Sequence, residues 1–101
     1  MHELPSFASF VENRGRAYWL VLADGRTLGI ELQQVNRRIA MSEHYECFSL
    51  DFRLPTGVVL AQDVYRLTGP CGGSWDLLLT PTLPDRQGRH YLEAVFHRER
   101  Y

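Results

Sequence analysis

The side chains that could do chemistry in this 101-residue chain are three of its four histidines, His44, His90 and His97, two cysteines, Cys47 and Cys71, and carboxylates such as Glu46, Asp51 and Glu93. The three histidines could meet Glu93 or Asp51 around a metal ion. Their separation carries no information, however, and scattered histidines are ordinarily surface or hydrogen-bonded residues. Glu46 and Glu93, taken as an acid and base pair, are explained equally well by a solvated strand face. The chain has no glycine-rich phosphate loop, G-x-S-x-G elbow, H-E-x-x-H helix or C-x-x-C pair. No catalytic residue, metal site or cofactor is therefore expected. A hydrolase of unrecognised type is the alternative, and a pocket joining His, Asp and Glu side chains would favour it. Cys47 and Cys71 are too far apart for a local metal clip, and Cys71 sits in Gly69-Pro70-Cys71-Gly72-Gly73, which reads as an exposed turn.

Aromatic and basic residues suggest a second chemistry. Tyr18, Trp19, Tyr45, Trp75 and Tyr91, interleaved with arginines, could stack single-stranded nucleic acid on a small barrel. Against this, the formal net charge is -1 and the pI is near 6.4, so no global field draws the chain to polyanions. All 11 basic residues are arginine and none is lysine. Guanidinium forks suit carboxylate and phosphate recognition, but the interspersed acids favour codon bias in a GC-rich genome. A core this small also needs its Trp and Tyr as filling. Nucleic-acid binding remains the weaker reading.

The elements that position these residues are legible from period and punctuation. Ser6 can cap a short helix whose Phe7, Phe10 and Val11 fall at i, i+3 and i+4, with Gly15 placed to end it. The period then becomes two. Arg16–Leu22 is rich in β formers, Asp24-Gly25 signals a type I′ hairpin with positive φ at both positions, and Leu28, Ile30 and Leu32 alternate on the return strand. Asn36–Glu43 reads as a long connection or a fraying strand end. Phe48, Leu50, Phe52 and Leu54 face inward against a wet face of Cys47, Ser49, Asp51 and Arg53. Pro55-Thr56-Gly57 turns the chain, and Val58–Leu60 is expected to pair briefly. Val64–Thr68 and the run around Trp75, Leu77 and Leu79 are strands, the latter covered on both faces because of Leu78 and stopped by Pro81. The last strand, Arg89–Arg98, offers Leu92, Ala94 and Phe96 on one face and Tyr91, Val95 and His97 on the other. The fold class is mainly β: a small six-stranded antiparallel barrel or sandwich with one short N-terminal helix, and a barrel is preferred because closure removes sheet edges. Residues 1–101 read as a single β-domain.

The apolar run Tyr18–Leu22 is far short of the ~20 residues that span a bilayer, and no basic region followed by an apolar stretch opens the chain. No membrane insertion is expected, and the default location is cytoplasmic, with incorporation into an extracellular assembly left open. Nearly the whole chain resembles a family of small bacterial domains of unknown function. The likeness lies in the helix with Phe7 and Phe10, the hairpin Leu20–Gly25, the strand Phe48–Phe52, the stretch Leu60–Leu67 and the ending Tyr91–Phe96. Where that family tends to have Gly, this chain has Asp63, so a tight turn there is not implied. The resemblance implies a gene neighbourhood of phage-tail-collar-like or filament-like proteins and an assembly role, and no catalytic residues.

The function expected is thus non-enzymatic: a protein-interaction or structural assembly domain that meets a partner, or a second copy of itself, through a sheet edge. Two features point to where. Both faces of Tyr18–Leu22 are apolar, so Trp19 and Val21 meet either the helix or a partner. The last strand carries Tyr91, Val95 and Tyr101 as contact area, with a polar rim of Arg89, His90, His97, Arg98 and Arg100. The partner-binding residues named on these grounds are Tyr91, Val95, His97, Tyr101 and Trp19.

Overall fold

The structure, a computed structural model, describes residues 5–38 and 45–99, with backbone alone at Tyr45, Arg98 and Glu99. Tyr101, His44 and Arg100 lie outside the described residues. Helix α1 (Phe7–Glu12) is capped by Ser6, whose side chain accepts from the Ser9 N–H at 3.1 Å. Asn13 closes it, donating from Nδ2 to the Ser9 carbonyl at 2.9 Å. Six residues cannot hold a helix in water unaided, so its stability comes from packing. Phe10 is fully buried, with ring centroids 6.4, 5.9 and 5.7 Å from Tyr18, Phe48 and Phe96. Phe7 stands edge-on to Phe48 at 5.4 Å, under the Arg37 guanidinium. Val11, expected on the same face, is 44% exposed: the helix ends one residue later, and Phe7 and Phe10 already fill its inward stripe.

Six strands follow: β1 (Ala17–Val21), β2 (Thr27–Arg37), β3 (Tyr45–Arg53), β4 (Asp63–Thr68), β5 (Ser74–Thr82) and β6 (Tyr91–Glu99). They close into a barrel in the order β1-β2-β3-β6-β5-β4, with every neighbour antiparallel. Alternate residues fill the interior, among them Leu20, Ile30, Leu32, Phe48, Leu50, Phe52, Leu67, Leu77, Leu79 and Leu92, all buried. Each such side chain contributes roughly 1.5–3 kcal/mol of transfer free energy. Helix α1 plugs the end at which β1 begins and β6 ends, through the contacts of Phe10 with Tyr18 and Phe96.

Several expectations are corrected by the way the barrel closes. Strand β2 runs on to Arg37 through a bulge at Gln33, where the register shifts between Leu32 and Gln34. The extra residue moves the inward phase from Leu32 to Val35, which then meets Leu50; a strict period of two hides such a strand. Pro81 does not stop β5 but pairs with Leu92. Pairing of β5 with β4 ends at Leu79, so only one side of the strand needs donors there, as proline requires. Leu78 is 55% exposed, because the barrel covers one face of β5 and not two. Val58–Leu60 forms no strand; Val58 and Leu60 pack against the core from the connection. Ser49, assigned to the wet face, is fully buried.

The Asp24-Gly25 turn is also of a different type. Gly25 has φ 90°, but no non-glycine residue among those described has positive φ, so Asp24 is in ordinary space. The Gly25 N–H donates to Leu22 O at 2.9 Å and the Leu22 N–H to Arg26 O at 2.7 Å, a type I turn followed by a glycine bulge. The Asp24 carboxylate accepts from the Arg26 N–H at 3.0 Å, which the two-residue turn would not allow for. The same pattern recurs at Gly69–Gly73 and Asp85–Arg89, with Gly72 and Gly88 in the left-handed position.

Candidate interaction surface

The five residues singled out for partner binding separate. Tyr91, Val95 and His97 stand on the outer face of β6, and Trp19 on the outer face of β1. Closure changes what β6 can offer: β3 pairs along all of it, and β5 pairs at Tyr91–Glu93. The ladder to β5 stops at Glu93, so the edge expected of β6 is paired on that side only at Tyr91–Glu93.

Tyr91 is committed to its own loop. Its hydroxyl donates to Asp85 Oδ2 at 3.0 Å, and Asp85 Oδ1 accepts from the N–H groups of Gln87 and Arg89. Burial first, and then the bond to Asp85, hold the phenol above its usual range. The Arg89 guanidinium donates twice to the Leu54 carbonyl, tying this hairpin to the end of β3. Tyr91 therefore positions a loop. Val95, 56% exposed, keeps the character expected of it.

Trp19 is 48% exposed and lies against Gly29, where an added Cβ would come within 2.9 Å of the indole. Helix α1 does not cover it, since Phe10 packs at the barrel end instead. The registers show what does surround it. Trp19 pairs with Thr68 and Val21 with Arg66 on β4, while Arg66 pairs with Asp76 and Val64 with Leu78 on β5. Outward residues two apart share a face. Trp19, Val21, Val64 and Leu78 thus run diagonally over β1, β4 and β5, with Val64 and Leu78 at 59% and 55% exposure. Beside them Arg66 grips Asp76 through Nε and Nη2 at 3.0 and 3.2 Å, which holds the carboxyl below its usual range. The β5–β6 ladder ends at Thr80 and Glu93, and Leu78 and Val95 lie two residues beyond it on their strands, both exposed. Sequence reasoning found Trp19 and Val95 but not Val64 and Leu78, which join them. The signal was present as outward apolar residues, but only the strand order places them side by side.

Two of the carboxylates named for chemistry are occupied in structural roles. Asp51 accepts from Asn36 Nδ2 and Glu93 from Arg38, each at 3.0 Å. Arg38 leaves β2 level with Cys47 and reaches Glu93 on β6 across β3. Among the described residues no three His, Cys, Asp or Glu side chains are grouped to hold a metal ion. Both cysteines are free thiols. The stacking platform dissolves: Tyr18 and Trp75 are 1% and 7% exposed, inside the barrel, and Tyr91 stands on a strand remote in register from Trp19. Among the described residues, no helix is long and apolar enough to cross a membrane. Residues 5–96 match the family described as Domain of unknown function (DUF6916). No curated protein and no solved structure matches the chain.

Proposed function

The chain belongs to the DUF6916 family of domains of unknown function, and from that premise we propose that it acts without catalysis, as a module that binds another protein chain through the outer face of β1, β4 and β5. The observation that carries this reading is the diagonal of half-exposed Trp19, Val64 and Leu78 on neighbouring strands. Monomeric proteins scatter single apolar residues over their surfaces but rarely align them into a patch, and aromatic anchors beside arginine are enriched at interfaces. The Arg66–Asp76 pair supplies the polar, orienting contact. Val95 extends the patch toward β6. The partner is a second copy or another subunit of a tail-like or filamentous assembly, and the module works in the cytoplasm until incorporated.

The test is the double change Val64→Arg with Leu78→Arg. Surface changes of this kind shift stability by about 0.5 kcal/mol or less, so the melt is expected to hold while self-association in light scattering, or co-purification with host proteins, is lost. Partner recovery that survives both changes would remove this face from the interface. Turnover in a hydrolase substrate screen that depends on His90 or Glu93 would replace the binding reading with the enzyme alternative.

A further inference from the structure

A cavity of about 310 Å³ opens between helix α1 and the Gly69–Gly73 hairpin, and shares no lining residue with the proposed interaction face. Its lining includes Pro5, Ser9, Tyr18, Pro70, Cys71 and Trp75, and none of its lining residues is charged. Its size lies at the low end of ligand sites, enough for one substituted ring. The wall is built for that shape. Trp75 lies over the base of the hairpin because Gly69 and Gly73 lack side chains: a Cβ at either would meet the indole at 2.8 or 2.7 Å.

One polar group within it is unaccounted for. Tyr18 is 1% exposed, and among the described residues its hydroxyl has no hydrogen-bond partner, whereas the hydroxyls of Tyr65 and Tyr91 each have one. A Cβ at Gly69, itself part of the lining, would lie 3.4 Å from Tyr18 Cε2, so the phenol end is directed at the cavity. The hydroxyl oxygen is not one of the fully buried unpartnered atoms among the described residues, so it is reached from the cavity as a presented donor and is not sealed in the core. Burial also pushes this phenol up to about 12, so it is a donor at any physiological pH.

We infer that this cavity is a binding site for a neutral, ring-sized apolar ligand carrying one hydrogen-bond acceptor, to which the Tyr18 hydroxyl donates. The exposed thiol of Cys71 stands in its lining and reports on occupancy.

Two probes of similar shape separate the hydrogen bond from apolar filling: 4-fluoroacetophenone and 1-fluoro-4-isopropylbenzene, titrated against the full chain by fluorine NMR. The ketone is expected to bind roughly two- to tenfold more tightly than the hydrocarbon, the range of one neutral hydrogen bond. Tyr18→Phe should erase that preference, leaving hydrocarbon binding intact. Saturating ketone should slow alkylation of Cys71 by iodoacetamide, read by peptide mass. A measurement that does not depend on the variant folding is alkylation of wild-type Cys71 with N-ethylmaleimide, which should block both probes. The inference is overturned if neither probe saturates, if the ketone preference persists in Tyr18→Phe, or if alkylated protein binds as before. Ketone affinity that falls as protein concentration rises would also overturn it, because a second chain would then be the occupant.

Discussion

Gly25 shows how narrow a single-residue requirement can be. Its φ of 90° lies in the left-handed region, yet nothing stands within 4 Å of where a Cβ would be. The cost of a side chain there is backbone strain alone, about 1–2 kcal/mol. Gly25→Ala is therefore expected to lower the unfolding free energy by that amount, read as a lower urea midpoint with an unchanged slope, and a variant as stable as the parent would contradict the turn geometry. Asp85 carries a different burden. It accepts from Arg89 N–H, Gln87 N–H and the Tyr91 hydroxyl, and the Arg89 N–H foremost holds its carboxyl below the usual carboxylate range. A carboxyl depressed in the folded state stabilises fully above its unfolded value and loses that contribution as pH falls through the folded one. Thermal melts from pH 6 to pH 2 should show stability declining below about pH 4, and Asp85→Asn should flatten that decline. An identical pH profile in the variant would separate the loop from the acid response.

At the scale of elements, α1 is a plug held by one ring. Phe10→Ala removes a fully buried aromatic packed on Tyr18, Phe48 and Phe96, and a loss of about 3–5 kcal/mol is expected in denaturant melts. Val11→Asp, one residue along and 44% exposed, should cost about 0.5 kcal/mol or less. The reverse order would put the helix on the Trp19 face. The helix, its Ser6 cap and the inward residues of β3, β5 and β6 were all legible, because cap chemistry and a period of two are local signals. The bulge at Gln33 was not, since an extra residue in β2 is defined only against its partner β3. Nor was the placing of Pro81, whose tolerance depends on which neighbour β5 lacks at that point. The same limit governed the surface: Trp19 and Val95 could be named individually, but their link through Val64 and Leu78 depends on β4 lying between β1 and β5. The bond of Tyr91 to Asp85 was not legible either, because it closes a loop whose shape no pattern discloses.

The barrel as a whole is closed unevenly. Strands β2, β3 and β6 are joined along long registers, from Glu31 to Arg37 against Phe48 to Arg53 and from Tyr45 to Arg53 against Tyr91 to Glu99. The β4–β5 hairpin is well paired within itself, from Asp63 to Thr68 against Ser74 to Leu79. Its attachments to the rest are short: Trp19–Val21 with Arg66–Thr68 on one side, and Thr80–Thr82 with Tyr91–Glu93 on the other. What holds the hairpin in place is chiefly burial of Leu67, Trp75, Leu77 and Leu79. A unit with many internal and few external hydrogen bonds is the kind that opens as a body below the global unfolding free energy. Native-state hydrogen exchange at increasing, sub-denaturing urea is therefore expected to show the paired amides of β4 and β5 converging on one opening free energy, below that of β3 and its amides facing β6. The urea dependence of that opening should be intermediate, because only part of the apolar core is exposed. If the amides of β4 exchange only with those of β3, the two short seams are as strong as the long ones and the barrel opens as one piece. If they converge as expected, the hairpin that bears Val64 and Leu78 is also the most readily displaced part of the molecule, and a partner bound across β1 and β4 should raise its protection selectively.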